Sequence, residues 1–179
     1  MLQWLCRFNI FHLVPLDGII SYVRLAAKPN VPEAKLKSFL RMTIMTRLFC
    51  EPSSEHVAHT AYSALLATNQ DHHNWAVFMS DICAPTAASM VDAHFSWPQS
   101  HANTETAYNM AFNHDLPFFG HLKQHNERHK QFAGYMRAVT ESDEVHFRHL
   151  VKGFDWESLG TATVVDVSVS LLSKYMDIC

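Results

Sequence analysis

PEAKLKSFLRMTIMTRLFCEPSSEHVAHT, residues 32–60, joins a helical pattern to the pattern of a tight β-hairpin. Pro32 suits the first turn of a helix, and the apolar residues after it recur at helical spacing. Residues 49–51 and 56–59 have the composition of two short strands, and Pro52-Ser53-Ser54-Glu55 supplies the turn between them. The stretch therefore predicts a helix from Pro32 to Leu48 and then a small hairpin.

Two further helices are predicted before this stretch. An apolar face indicates the first of them, and it is formed by Trp4, Leu5, Phe8 and Phe11. Pro15 and Asp17-Gly18 interrupt this helix, and Ser21 can cap a second one that ends before Pro29. Three helices followed by a hairpin are the pattern of a winged helix, so residues 1–70 are predicted to form a winged-helix-like segment.

The rest of the chain is predicted to be mostly helical. Helical spacing runs from His72 to Phe95, and Pro85 should kink this long helix. Further helices are predicted at 104–112, from Pro117, at 127–139 and at 142–151. Residues 163–167, TVVDV, have the composition of a buried strand. The predicted fold class is mainly α, a winged-helix-like segment with a small β-hairpin followed by a helical bundle, with one stray C-terminal β-strand.

The composition excludes several classes of function. The formal net charge of the 179 residues is -3, which argues against nucleic-acid and membrane-surface partners, despite some basic residues in the helix from Pro32. No apolar run approaches the roughly 18 residues that span a bilayer, and the first residues lack the basic start of a signal peptide. The four cysteines are scattered, which predicts free thiols and a cytoplasmic protein.

The predicted C-terminal strand ends in an acidic residue, as the first strand of a nucleotide-binding α/β domain does. Such a strand normally enters a glycine-rich turn, because only glycine lets the backbone approach a cofactor closely. Ser168-Val169-Ser170 stand there instead, and the chain ends before an acidic ribose ligand could follow. We therefore expect no bound cofactor, and we predict that residues 161–179 are the remnant of the start of a Rossmann-like domain.

Several segments together resemble one known family. They are VPLDGIISY at 14–22, RLFCEP at 47–52, TETAY at 104–108, FAGYM at 132–136 and GFDWESLG at 153–160. These segments are similar to the fungal family of S-adenosylmethionine-dependent O-methyltransferases of secondary metabolism, and the resemblance covers nearly the whole chain.

The resemblance implies three parts: a dimerisation segment at 1–70, a helical substrate-binding segment at 71–160, and the beginning of a methyltransferase domain at 161–179. The family's strand continues as Asp-Val-Gly-Gly, and its catalytic histidine base lies in the domain that follows. Neither feature has a counterpart in this sequence, so we do not expect methyl transfer. A homodimer is expected, because residues 4–11 and 32–48 carry apolar surface that the family buries between subunits.

The helix from His72 and the family's pocket-lining segments supply the candidate substrate-binding residues. They are Trp75, Phe78, Met79, Ile82, Met110, Phe112, Phe118, Phe119 and Met136. A small hydrophobic or aromatic substrate would fit this lining, because methionine adapts its shape and aromatic rings stack. A plain hydrophobic core would use the same residue types.

Thirteen histidines supply the candidate acid/base groups, since histidine titrates near neutral pH. The candidate catalytic residues are His72, His94, His114 and His121, although each could also be an exposed or structural histidine. His121, His125 and His129 are spaced at four-residue steps, which could suit a metal ion. No carboxylate is fixed beside them, so a solvated face is favoured and no metal is predicted.

Two classes of function follow. In the first, the protein is a non-methylating enzyme that steers cyclisation, isomerisation or dehydration of a polyketide-like or alkaloid-like intermediate by pocket shape and histidine acid/base chemistry. In the second, it is a non-catalytic dimerisation or scaffold partner of a full-length enzyme, or a decayed methyltransferase.

Overall fold

The computed structural model describes residues 1–146 and 148–165, and helices dominate it. The described residues confirm the predicted mainly α fold with a small β-hairpin. Two compact units are present: residues 1–138 form the first, and the second begins at residue 139. The predicted division of roles among residues 1–70, 71–160 and 161–179 stays a prediction.

The N-terminal part of the first unit contains short helices and a small sheet. The helices are α1 (Leu2–Arg7), α2 (Ile10–Leu13), α3 (Tyr22–Ala27), α4 (Glu33–Met45) and α5 (Ala61–Thr68), and the strands are β1 (Ile20–Ser21), β2 (Phe49–Ser53) and β3 (His56–His59). The predicted first helix is divided between α1 and α2, because Asn9 has a left-handed φ of 56°. Similarly, α4 ends before the predicted Leu48, because Arg47 has a φ of 61°.

The sheet is antiparallel with the strand order β1-β3-β2. The hairpin of β2 and β3 is the one that the sequence predicts, and it pairs Phe49 with His59. The third strand, β1, was missed by the sequence analysis because it has two residues and pairs Ile20 with Val57. Arg41 of α4 forms a double hydrogen bond with Glu51 of β2, which is the main reason that the pKa of that carboxyl is lowered to about 2.

The core of this part consists of side chains from all of these elements. Leu5, Phe11, Tyr22 and Phe49 are fully or almost fully buried, and the Phe11 and Phe49 rings stack with centroids 5.4 Å apart. The expectation that residues 4–11 offer an apolar surface to a second copy is therefore wrong for Leu5 and Phe11. Both side chains are buried in the core of their own chain.

The remaining helices of the first unit are α6 (Gln70–Phe78), a π-helix (Met79–Cys83), α7 (Ala84–Ala88), α8 (Met90–Ser96), α9 (Ala107–Phe112), α10 (Phe118–Gln124) and α11 (Asn126–Thr140), whose last two residues belong to the second unit. The second unit contains α12 (Arg148–Gly153) and short 3-10 turns at Asp143–Val145 and Glu157–Leu159. The predicted single helix from His72 to Phe95 is thus divided into four segments. Pro85 has no N–H to donate to the carbonyl of Asp81 and its ring crowds that carbonyl, so the helix widens just before it.

Three further expectations concern the C-terminal strand, the cysteines and membrane-spanning helices. Residues 163–165 of the predicted C-terminal strand have no regular structure, since no neighbouring strand pairs with them in the described part, and Asp166 and Val167 lie outside the described residues. Cys6, Cys50 and Cys83 are free thiols. Within the described ranges, none of the helices has the length and apolar character needed to cross a membrane.

Candidate functional site

A cluster of aromatic side chains lies where the sequence predicts a substrate pocket. Phe78, Ile82 and Tyr108 are buried at its centre. Phe78 stacks on Tyr135 with ring centroids 5.0 Å apart, and Phe118 meets Tyr108 edge to face at 4.9 Å. We call this set of side chains the aromatic wall, and its members are Phe78, Tyr108, Phe112, Phe118, Phe132 and Tyr135.

The predicted lining residues do not all join this wall. Trp75 lies beside it, with its ring 6.2 Å from that of Tyr135. Phe118 packs within the wall while the neighbouring Phe119 is 63% exposed, because two successive residues of a helix cannot share one face. Met79 is exposed, and Met110 and Met136 are half-buried. Phe78, Ile82, Phe112 and Phe118 pack as a core would, so their role in binding a substrate stays a prediction.

Two of the four predicted catalytic histidines come together. The rings of His114 and His121 have centroids only 3.7 Å apart. His72 lies on α6 against Trp75, 6.1 Å away, and His94 is exposed on α8 beside the ring of Phe95. Of the four candidate catalytic histidines, His114 and His121 are therefore the two that lie close enough to act together.

Other polar side chains complete this arrangement. The Tyr108 hydroxyl lies 2.7 Å from Nδ1 of His121, and the His125 ring meets the His121 ring edge to face at 4.5 Å. The Arg128 guanidinium lies over Phe112, with its central carbon 4.5 Å from the ring centroid. We call the following side chains the histidine cluster: Tyr108, His114, His121, His125 and Arg128.

A buried asparagine positions the histidine cluster. The Asn109 side-chain amide donates to the carbonyl oxygens of His114 and Leu116, at 2.9 and 2.8 Å, and its oxygen accepts from the Thr106 hydroxyl at 2.7 Å. These bonds hold the loop that joins α9 to α10. Because the loop is fixed, His114 is held against His121 of α10.

The hydrogen bonds also fix the tautomer of His114. The backbone N–H of Leu116 points at His114 Nδ1 over 3.2 Å, and a backbone N–H can only donate. Nδ1 of His114 is therefore an acceptor, and the neutral ring carries its hydrogen on Nε2. His121 is less constrained, because a tyrosine hydroxyl can either donate to its Nδ1 or accept from it.

Burial keeps both histidines neutral near pH 7. The pKa of His121 is lowered to about 4, chiefly by burial and then by the nearby His114, His125 and Arg128, which disfavour a positive charge. Burial and then Arg128 also lower the pKa of His114, against a smaller opposing effect of Asp115. Burial raises the pKa of Tyr108, against a smaller opposing effect of Arg128, so this residue remains a phenol.

The site residues that the sequence analysis missed are Tyr108 and Arg128, and His125 was considered only as a metal ligand. His125 and Arg128 follow His121 by four and seven residues, which is the spacing of one helical face. The sequence favoured a solvated face for these positions, and in the structure the spacing does not lie on one continuous helix, because α10 ends at Gln124. Across residues 1–146 and 148–165, no three histidine, cysteine, aspartate or glutamate side chains are grouped to hold a metal ion.

An open depression of about 310 Å³ lies elsewhere on the first unit. Lys28 borders it and donates a hydrogen bond to the carbonyl oxygen of Leu13 at 2.8 Å. None of the predicted site residues lines it; the lining residues are His12, Leu13, Val14, Pro15, Ile19, Ile20, Arg24 and Lys28. The histidine cluster is thus the stronger candidate site on chemical grounds.

Known proteins resemble the chain in sequence and in fold. O-methyltransferase aoiF of Aspergillus oryzae is 48% identical over 98% of this chain and 43% of its own length. O-methyltransferase aurJ of Gibberella zeae is 49% identical over 94% of this chain and 39% of its own length. No protein-family model matches the chain.

Solved structures share the fold at low sequence identity. OxaC, in complex with sinefungin and meleagrin, superposes with a TM-score of 0.70 at 19% identity, over 87% of this chain and 39% of that one. A pericyclic-reaction enzyme superposes with a TM-score of 0.69 at 17% identity, over 89% of this chain and 42% of that one. Over nearly its whole length the chain is therefore a homologue of fungal O-methyltransferases, and it spans less than half the length of those relatives.

Proposed function

We propose that the protein binds a small aromatic, polyketide-like or alkaloid-like intermediate and catalyses proton transfer on it without methylating it. Aldol-type cyclisation, isomerisation by double-bond migration and dehydration each use such a transfer. The observation that carries the proposal is the 2.7 Å pair of Tyr108 and His121, which is buried at the edge of the aromatic wall. A phenol and a neutral imidazole in contact are an acid and a base that coexist near pH 7.

In the proposed step, His121 accepts a proton at Nε2 from a carbon next to a substrate carbonyl. Its Nδ1–H then donates to the Tyr108 oxygen, and the Tyr108 hydroxyl donates to the carbonyl oxygen as negative charge develops there. The imidazolium returns the proton to another carbon in an isomerisation, or to a hydroxyl that leaves as water in a dehydration. His121 is a weak base, because its pKa is about 4, so an acidic C–H between activating groups suits it best.

Two features of relatives and sequence support a non-methylating role. The shared fold also occurs in a pericyclic-reaction enzyme, so it is compatible with chemistry other than methyl transfer. The residues after Asp166 lack the glycines that a cofactor turn needs. Methylation by this chain is therefore the outcome that the proposal excludes, and tritium transfer from labelled S-adenosylmethionine to an added phenol would contradict it.

Deuterium exchange on an enolisable ketone tests the proton transfer directly. We expect the purified protein to accelerate exchange of the benzylic α-hydrogens of 2-tetralone in D₂O, followed by proton NMR. His121→Gln and Tyr108→Phe should each lose roughly 100-fold of this acceleration, the usual contribution of a positioned acid or base.

His101→Gln is the matched control, because His101 is exposed on the loop before α9 and belongs to no part of the histidine cluster. This variant should accelerate deuterium exchange of 2-tetralone as much as the parent protein does. Exchange at the buffer rate with the parent protein, or an unchanged rate for His121→Gln, would contradict the proposed mechanism.

The second candidate function is that of a self-associating, non-catalytic partner, and exposed apolar side chains favour it. On α8, Val91 and Phe95 are one turn apart and are 64% and 78% exposed, and Met45 at the end of α4 is 86% exposed. We propose that α8 contacts a second copy of this chain.

Light scattering should accordingly give the mass of a dimer at micromolar concentration. Replacing Val91 and Phe95 together by serine should shift the mass to that of a monomer, whereas Tyr62→Ser, which removes an exposed ring from α5, should not. A monomeric parent protein would contradict the proposed homodimer while leaving the exchange experiment unaffected.

A further inference from the structure

Two buried hydrogen-bond donors of the histidine cluster have no acceptor among the described residues. They are Nε2 of His114 and Nη1 of Arg128. Nε2 carries the hydrogen of His114, because Nδ1 accepts from the Leu116 backbone, and every guanidinium nitrogen of an arginine can only donate. Leaving buried donors unpaired is costly, so such groups call for a specific explanation.

The charges around these donors are unbalanced. The Arg128 guanidinium lies on the face of Phe112, which contributes a cation–π interaction but no carboxylate. Glu127, its neighbour in sequence, pairs instead with Lys130 at 2.9 Å. Asp115 is exposed and acts on His114 only as a nearby charge. In the part of the chain described here, no acidic side chain is hydrogen-bonded to the histidine cluster.

An anionic group would supply both the missing hydrogen-bond acceptors and the missing negative charge, because it carries negative charge and several acceptor lone pairs. A carboxylate fits best, since its two oxygens can accept separate hydrogen bonds and arginine binds that geometry well. Because His121 and His114 are neutral, Arg128 is the cationic side chain of the cluster that would pair with the negative charge of the carboxylate. The aromatic wall borders the cluster through Tyr108 and Phe112, so the rest of such a ligand would meet flat rings.

We propose that the histidine cluster is a carboxylate-binding subsite for an aromatic acid. One carboxylate oxygen accepts from Arg128 and the other from His114 Nε2–H, and the ring of the acid packs on the aromatic wall. This inference rests on the proposed function only in placing the substrate at that wall. Entry requires side-chain rotation, and His125 is exposed and Arg128 half-buried at the surface of the cluster.

A matched pair of ligands tests the charge requirement. 2-Naphthoate and 2-naphthamide have nearly the same shape, and only the first is an anion near neutral pH. By calorimetry we expect 2-naphthoate to bind at least roughly tenfold more tightly than 2-naphthamide, since a charged hydrogen bond contributes more than a neutral one. Equal affinities would overturn the inference, because buried water would then explain the two donors.

Protein variants identify the residue responsible. Arg128→Met keeps an unbranched side chain over Phe112, and it should weaken 2-naphthoate binding at least roughly tenfold while leaving 2-naphthamide within roughly twofold. Lys130→Met removes the same charge from α11 at an exposed position and should change neither affinity. Arg128→Met binding 2-naphthoate as tightly as the parent protein would overturn the inference.

The experiments can disprove the proposed proton-transfer function and the carboxylate-binding subsite independently of each other. Loss of the anion preference, with 2-tetralone exchange intact, removes the carboxylate subsite and leaves the acid/base role of His121. Absence of exchange, with a tenfold preference for 2-naphthoate that depends on Arg128, removes the catalytic role and leaves a binding site for aromatic acids.

Discussion

Gly134→Ala is expected to lower the free energy of unfolding by about 3 kcal/mol, at the upper end of the usual cost of overpacking. Gly134 lies on α11 where that helix meets α6. A methyl group there would lie 2.5 Å from Nδ2 and 2.6 Å from Cβ of Asn74. The amide could rotate away, but Cβ is fixed to the backbone of α6, so the two helices would have to separate.

Gly120→Ala is the matched control, because Gly120 is also helical and the nearest atom to an added methyl group is 3.6 Å away, on Pro117. It should stabilise the fold by about 0.5–1 kcal/mol, the usual gain of alanine over glycine inside a helix. Urea unfolding followed by circular dichroism measures both variants. Equal midpoints for the two variants would show that α6 and α11 are not in close contact.

A double variant isolates the contact. Asn74→Gly removes the Cβ atom that the new methyl group would meet, so combining it with Gly134→Ala should cost less than the two single changes added together. The result bears on the site as well as on stability. The α11 helix carries Arg128, and Arg137 on the same helix holds Asp71 of α6 through two hydrogen bonds of 2.7 and 2.8 Å.

Local rules predicted the parts of the fold that depend on neighbouring residues. The Ser21 side chain caps α3 by accepting from the Arg24 backbone, as its position before an apolar stretch indicates. In the structure, Thr60 begins α5 with a capping box shared with Ser63, which is also a contact between near neighbours in sequence. The hairpin at β2 and β3 is also local. The two residues of β1 are held by pairing with β3, which lies more than thirty positions away, and no local pattern reveals such a pairing.

The candidate site shows the same limit. Sequence reasoning named His114 and His121, but their contact depends on Asn109, whose side chain folds the loop between α9 and α10. Sequence also could not separate these residues from structural histidines. Both ring nitrogens of His59 are hydrogen-bonded, one to the Val14 carbonyl and one to the Ser63 hydroxyl, and burial lowers the pKa of this residue. Residue type and spacing are alike in both cases, and only the surroundings differ.

Acid is expected to destabilise the protein through His121. The pKa of this residue falls from its usual 6.5 to about 4 in the folded protein, chiefly because burial disfavours the charged ring. Between these pH values the unfolded chain binds a proton that the folded chain does not, so stability falls as the pH decreases through this window and is fully retained above it. The lowered pKa of His121 corresponds to a loss of about 3 kcal/mol in the free energy of unfolding once the pH has fallen to about 4.

His121→Gln separates this effect from the other groups that titrate, because glutamine stays neutral throughout. His114, His59 and His73 also have lowered pKa values, and they remain in both proteins. The variant will lose some stability at every pH through its altered bond to Tyr108. The informative quantity is therefore the slope of unfolding free energy against pH, which should be steeper for the parent protein than for the variant between the two pKa values.

The NMR signal of the His121 ring gives an independent measurement of the same property. It should keep the chemical shift of a neutral imidazole as the pH is lowered through 6.5, because burial lowers the pKa of this ring to about 4. A midpoint for His121 close to 6.5, together with parallel stability curves for the two proteins, would mean that the ring is solvated. The neutral Tyr108–His121 pair would then not persist in mildly acidic solution, and the proposed base would have to act from a water-exposed position.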